Sequence, residues 1–545
     1  MKTKRSILVA LLVMVISWPS CNRKSDQLTL EMMDKLAQFE EVTLYTDLSW
    51  LSDNEREIIR ILIQAADIMD DIFWQQSYGE RDDLFALVPN KYAREYASIH
   101  YGPWDRVDGN APFLEGFGEK PAGANFYPAD MTVGEFEAWN EPSKSSLYTL
   151  IRRDQQGQLL AIPYSEAYKE QHEEAARLMR KAAELAEDAG LRNYLEMRAE
   201  ALLSNEYQAS DYAWMAMKES NIDFIVGPIE NYEDRLFGFK AAHEAFILVK
   251  DLDWSARLEK FNDMLPYLQS QLPVAPAYKA EEPGTDADMN VYYAIYYAGD
   301  CNAGSKTIAI NLPNDPEIHL SVGSRKLQLK NSMEAKFDQI LVPIAHMLID
   351  ESQLQHITFD AFFENTTFHE VSHGMGIKNT INGRGPVREA LREYYSSLEE
   401  AKADIMGLYL VTKLYEMGEI SSGEVMNNYV TYFAGIFRSS RFGAASAHGK
   451  ANMLAMKYFA DNNAFVYQDD DTYKVNFPEM KSAVTSLLEQ ILIIQGDGDY
   501  DAARLWVESD GVMTDQLRSD LSKVNAAGIP VDIVFNQGLS VLGLD

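Results

Sequence analysis

With 545 residues the chain exceeds what one hydrophobic core usually supports, since cores stop growing at roughly 250 to 300 residues, so two or more lobes are expected. Lys and Arg number 49 against 83 Asp and Glu, a net charge of -34, and so acidic a surface repels phosphate backbones and anionic headgroups, which argues against nucleic acid as a partner. The 46% hydrophobic and 11% aromatic content is that of a globular protein, and no low-complexity tract or fixed-period repeat interrupts it.

The N-terminus carries an export signature: Lys2, Lys4 and Arg5 precede an apolar run over residues 7–16 that is too short to span a bilayer. The run ends in Ser17-Trp18-Pro19-Ser20-Cys21, which resembles a bacterial lipoprotein signal, with Trp18 where Leu is usual. Residues 1–20 are expected to be removed and Cys21 to take the lipid. The protein would then be exported and anchored to the bacterial cell envelope at the outer membrane, touching membrane only through Cys21. Cys301 is left without a disulfide partner, so the core alone must hold the fold.

After a polar stretch near Asn22 to Asp26, the region to about Gly79 reads as helical, with Ile58, Ile59, Ile61, Leu62, Ala65, Ile68, Met69 and Ile72 recurring at three- and four-residue spacing. Gly, Pro and aromatic residues fill 80–165, a region of long loops. A charged, Ala-rich stretch over 165–204, broken near Gly190, predicts a helical hairpin. Short β-branched or aromatic runs at 223–229, 245–249, 291–297 and 306–312 predict strands, and 332–492 returns to helix. The order implies an α+β lobe followed by a largely helical one.

Within the helical part stands His369-Glu370-Val371-Ser372-His373. On a helix, positions i and i+4 lie one turn apart on one face, so two imidazoles can grip one zinc while the intervening Glu370 serves as general base. Gly374 and Gly376 can stop this helix. The third ligand comes from Glu399-Glu400-Ala401-Lys402-Ala403-Asp404, on a helical pattern over 387–417 that the Gly383, Gly385 and Pro386 loop lets fold back. Glu400 completes the set, and Asp404, one turn on, can hydrogen-bond the free ring nitrogen of a ligand His. A solvated charged face is the plainer account of 399–404 taken alone; the upstream His pair reverses the preference.

With these motifs the chain resembles the dipeptidyl peptidase III family of zinc exopeptidases, and more closely its shorter bacterial relatives. Glu230-Asn231-Tyr232-Glu233-Asp234 is similar to the family's Glu-x-Tyr-x-Asp segment, and Asn311-Leu312-Pro313-Asn314 to its Asn-x-Pro-Asn strand end. The resemblance implies that Tyr232 stabilises the tetrahedral intermediate, that Glu230 holds the substrate's amino terminus, and that Asn311 and Asn314 bind the substrate backbone. A second carboxylate for the amino terminus maps onto Glu244 after one inserted residue. The family's other intermediate-stabilising residue is a His on a later helix; here His448 lies one turn before the nearest match, Asn452. Family members carry one extra residue between the two zinc-binding His, where Val371-Ser372 keeps the shorter spacing.

The resemblance also implies the architecture: two lobes around a cleft, a mixed lobe with a small β-barrel core and a mainly helical zinc-binding lobe. The mixed lobe is expected to comprise 21–250 with 286–332 and the C-terminal tail, and the zinc lobe 333–525, the chain crossing near 250, 285 and 332. The implied activity is removal of N-terminal dipeptides from oligopeptides with one Zn2+ per chain. Two other readings use the same motif: a zinc hydrolase acting on a non-peptide amide, and a non-catalytic peptide-binding lipoprotein, which would have no need of Glu370.

Overall fold

The computed structural model describes residues 18–545 except 89, 283–286, 442 and 444–445. Of the expected signal segment, residues 1–17 lie outside the described residues; Cys21 stands in the first helix, Trp18–Leu36. No helix among the described residues is long and apolar enough to cross a membrane. The chain divides into two compact units, one of residues 1–247, 295–306 and 532–545, the other of 248–294 and 307–531.

In the first unit the helix Asp53–Ser77 is the spine. Ser52 accepts from the backbone N–H of Glu55 while the Glu55 carboxylate accepts from that of Ser52, a reciprocal cap that fixes where the helix begins. Its predicted apolar positions Ile58, Ile59, Ile61, Leu62, Ala65, Met69 and Ile72 are buried. They face the expected helical hairpin, which forms as Lys169–Leu185 and Ala189–Ser204, the second helix capped by Asp188. The strand Ile222–Pro228 lies beside His243–Lys250, with the end of Ala287–Gly299 next in order. Phe39–Thr43, expected within a helical stretch, is instead a strand paired in parallel with Asp532–Asn536.

The second unit begins where the chain leaves His243–Lys250. Here Ser324–Leu329 pairs in parallel with the start of Ala287–Gly299 and antiparallel with Ala309–Leu312, in a register that sets Lys326 opposite Asn311. This strand fell in no predicted run, and residues 307–332, expected in the mixed lobe, belong to this unit. Among the described residues no pairing in either unit closes these strands into the expected small barrel.

The rest of the second unit is mainly helical, built around Phe359–His373 and Tyr395–Met417, here the His helix and the Glu helix. Thr358 caps the His helix by accepting from Ala361, and Gly374 ends it. The expected helix over 387–417 is broken: Val387–Leu391 is followed by a tight turn at Arg392–Tyr394, where Arg392 has a φ of 51°, before the Glu helix starts. Val425–Ser440, Ala447–Asp461 and Phe477–Asp497 pack around the Glu helix.

Candidate metal centre

The His and Glu helices meet where Gly407 faces the backbone of Phe368 and His369. A Cβ at Gly407 would stand 3.0 Å from the His369 nitrogen and 3.1 Å from the Phe368 carbonyl carbon, tighter than ordinary contact. Glycine therefore sets how closely the two backbones approach. One and two turns earlier on the Glu helix, Asp404 and Glu400 reach the His residues.

Each imidazole is fixed by a carboxylate. Asp404 Oδ1 accepts from His369 Nδ1 at 2.7 Å, and Glu399 Oε1 accepts from His373 Nδ1 at 3.1 Å. A carboxylate only accepts, so both rings carry a proton on Nδ1 and turn Nε2 inward. Those two Nε2 atoms lie 3.2 Å apart, and Glu400 Oε2 is 3.4 Å from the first and 3.7 Å from the second. A triangle with these sides has a circumscribed radius of about 2.0 Å, the length of a zinc–nitrogen or zinc–oxygen bond. Glu400 Oε2 is also buried without a hydrogen-bond partner. Three ligand atoms converging on one point fit a cation there, whose arrival would displace the proton that the neighbouring carboxylates favour on His369.

The electrostatics follow from the same contacts. Burial opposes protonation of His369, but the carboxylates of Asp404, Glu400 and Glu370 outweigh it and raise the imidazole to about 10. Burial likewise pushes Glu399 up, and Lys402 and His373 overcome it, bringing the carboxyl down to about 2. Lys402 Nζ donates to Glu399 Oε1 at 2.7 Å and to the Met375 carbonyl at 3.0 Å, and Gln495 Nε2 donates to Glu399 Oε2 at 3.2 Å.

Of the residues singled out from sequence, His369, His373, Glu400 and Asp404 therefore come together, and His448 joins them. Its Nδ1 is 3.1 Å from Glu400 Oε2. Ligand-capable atoms of His369, Glu400 and His448 all lie within 4.8 Å of one another. Asn311 and Asn314, both exposed, flank the buried Leu312 and Pro313 at the end of their strand. Lys326, cross-strand from Asn311, is buried and donates to the backbone carbonyl of Glu370, tying the Asn-bearing strand to the His helix.

Glu230, Tyr232 and Glu244 belong to the first unit. Tyr232 is 76% exposed, and the Glu230 charge raises its phenol pKa, with burial, Asp300 and Glu244 adding to the effect. Glu244 is buried and pushed up, first by desolvation and then by Asp300 and Glu230. Glu233 is different: Arg106 and Lys120 hold its buried carboxyl down at about 2 through contacts of 2.7 and 2.6 Å.

Sequence reading missed Glu399, Lys402, Gln495, Lys326 and Asp300. Glu399 and Lys402 looked like part of a charged surface; the available signal was their i, i+3 spacing, which sets the two one helical turn apart as an ion pair. Asp300 had no signal, because only folding sets it beside Glu244.

A model of Peptidase family M49 matches residues 138–385, a stretch that includes His369, Glu370 and His373 and stops short of Glu400. The chain is 35% identical over 579 residues to the Arabidopsis thaliana protein named Nudix hydrolase 3, covering 94% of this chain and 74% of that protein. It is 21% identical over 395 residues to dipeptidyl peptidase 3 of Rattus norvegicus, covering 66% of this chain and 49% of the rat protein. Its fold is similar to that of DPP III from Caldithrix abyssi, with a TM-score of 0.89 at 40% identity over 93% of this chain and 98% of that one. Dipeptidyl-peptidase III from Corallococcus sp. strain EGB matches with a TM-score of 0.78 at 37% identity, over 93% and 96% of the two chains.

The carboxylates behind the imidazoles give a measurable expectation. Asp404→Asn and Glu399→Gln should each weaken zinc affinity by roughly 10 to 100-fold, the usual cost of losing a group that orients a ligand His. Competition with a chromogenic chelator reads this directly, and wild-type affinity in both variants would contradict the assignment.

Proposed function

The chain belongs to the dipeptidyl peptidase III family, Peptidase family M49, and is a zinc metallopeptidase; from that premise we propose that it releases dipeptides from the free amino terminus of oligopeptides. The observation that carries the proposal is the convergence of His369 Nε2, His373 Nε2 and Glu400 Oε2 on one point with the radius of a zinc bond. One zinc ion held there would supply Lewis acidity to the scissile carbonyl and to water.

The remaining steps belong to the protein. Glu370, between the two imidazoles on the His helix, takes a proton from the attacking water onto its carboxylate and returns it to the nitrogen of the leaving amine as the C–N bond breaks. His448 beside Glu400, and Tyr232 with a phenol held in its protonated form, are assigned as donors to the developing oxyanion. Glu230 and Glu244 are assigned to the substrate ammonium, and Asn311 and Asn314 to its backbone. The burial of Glu244 supports this role, because a carboxyl pushed up by desolvation and like charge gains from an arriving cation.

We also infer export with a lipid on Cys21 at the outer membrane, supported by Lys2, Lys4, Arg5 and the apolar run before Cys21. Cys21→Ala should abolish incorporation of labelled palmitate in the producing cell; unchanged labelling would remove the anchor from this reading.

Glu370→Ala should retain about one zinc per chain while kcat falls by roughly 100 to 10,000-fold, the usual contribution of a general base. Elemental analysis and turnover of a dipeptidyl reporter check the two halves. Wild-type rates would exclude Glu370 as the base.

Free and N-acetylated hexapeptides test the register. Acetylation removes the ammonium that Glu230 and Glu244 are proposed to meet and leaves a buried carboxyl without its partner, so cleavage should slow by at least about a hundredfold. Mass spectrometry should show N-terminal dipeptides from the free peptide. Equal cleavage of both would point to an endopeptidase or to a hydrolase of another amide.

A further inference from the structure

We propose that the second unit carries a second small-molecule site, on the face of the His helix turned away from the imidazoles, and that it takes a free α-amino acid with an apolar side chain. The site is a cavity of about 270 Å³ lined by Trp254, Arg257, Phe261, Glu364, Thr367 and Phe368, among others. At about 100° per residue, Glu364, Thr367 and Phe368 share one stripe of the helix, roughly opposite the direction shared by His369 and His373. The cavity and the metal centre are thus separated by one helix, and the inference does not depend on the catalytic reading.

Three side chains mark the cavity as built for a polar ligand. Thr367 is 1% exposed, and its hydroxyl has no hydrogen-bond partner. A mid-helix Thr ordinarily donates to the carbonyl four residues back, as Thr366 does to Phe362 at 2.9 Å, so Thr367 departs from its own neighbour's behaviour. Glu364 is 5% exposed and accepts one bond, at 2.9 Å, from Asn428 Nδ2. Burial pushes its carboxyl up to about 7, only partly offset by Asn428 and Arg257. Arg257 stacks its guanidinium 5.0 Å from the Trp254 ring and makes no hydrogen bond or ion pair among the described residues. The neighbouring cation, Lys260, is already closed by Glu419 at 2.6 Å.

An open guanidinium, a buried carboxyl that no cation contacts at ion-pair distance among the described residues and an orphaned hydroxyl are the complements of a zwitterion. The ligand's carboxylate pairs with Arg257, and its ammonium meets Glu364 and the Thr367 oxygen. The side chain lies against the tilted pair of Phe261 and Phe368, whose ring centroids are 5.5 Å apart. The volume falls below the roughly 300 to 1,000 Å³ of drug-sized pockets, which suits a single amino acid better than a peptide.

Isothermal titration of the full-length protein with L-phenylalanine tests this, with N-acetyl-L-phenylalanine and phenylethylamine as probes that each lack one charge. Saturable binding of L-phenylalanine is expected, weakened at least about tenfold in either analogue, since each loses a charge-assisted hydrogen bond. Arg257→Met should weaken it to a similar extent. Ser421→Trp, an exposed position on the cavity lining, should block entry without touching the buried core. In turnover assays any effect of L-phenylalanine should persist at saturating peptide. No saturable binding up to about 10 mM, affinity unchanged in both variants, or displacement by a peptide substrate would overturn the proposal. Because binding is read by heat, the titration decides for or against this site even if the protein cleaves no dipeptide.

Discussion

The second unit depends on one close approach, that of the His helix to the Glu helix at Gly407. Two helices usually pack with axes 8 to 10 Å apart, the value set by the side chains between them. With no side chain on Gly407, Asp404 reaches His369 at 2.7 Å and Glu400 Oε2 comes within 3.4 Å of the same ring. The convergence of three lone pairs follows from that contact, because the imidazoles have nothing else to point at once their Nδ1 protons are committed. A larger residue at 407 would act on the backbone of the first ligand itself, where little can give.

Holding those lone pairs together places an unusual charge in one spot. Around the centre stand four carboxyls, Glu370, Glu399, Glu400 and Asp404, against two ammonium groups, Lys326 and Lys402, a formal excess of two negative charges that matches a divalent cation. The two lysines are deployed differently. Lys402 neutralises Glu399 and anchors the turn after the His helix through Met375, whereas Lys326 donates to a carbonyl of that helix and has its ammonium pKa lowered by burial. One lysine thus stabilises a carboxylate partner and the other braces the backbone of the His helix.

How much of this was legible in the sequence follows from the range of the interactions. His369, Glu370 and His373 are visible because coordination imposes a four-residue period that also fits a helix, and Glu400 with Asp404 repeats it. The strands at 223–229 and 245–249 are visible because they are continuous apolar runs between turn residues. Phe39–Thr43 was hidden, since its partner lies at Asp532–Asn536 and its own Glu40 and Glu41 suit a helix as well as a strand. Ser324–Leu329 was hidden for a related reason: Arg325, Lys326 and Gln328 are polar yet buried, so its pattern carries no apolar alternation. The barrel expectation came from resemblance alone, and residues 307–332 fall in the second unit because their register partners do. Arg392, at positive φ, breaks a helix that periodicity ran straight through.

The first unit shows how burial sorts carboxyls that look alike in sequence. Glu230 and Glu233 stand three residues apart in one motif, yet Glu233 is clamped by Arg106 and Lys120 and held low, while the Glu230 charge acts on Tyr232, Glu244 and Asp300. Two of those three are raised by desolvation first, Glu244 then by Asp300 and Glu230, and Asp300 by Glu233 and Glu230. A buried carboxyl without a cation costs far more than one with it, and proteins seldom keep such a group unless something else arrives to meet it. Glu233 has its cations in contact, whereas burial and neighbouring carboxylates raise Glu244, and raise Asp300 in spite of the charges of Arg106 and Lys120. That difference separates a carboxyl clamped into the fold from carboxyls that burial and like charge hold in their protonated form.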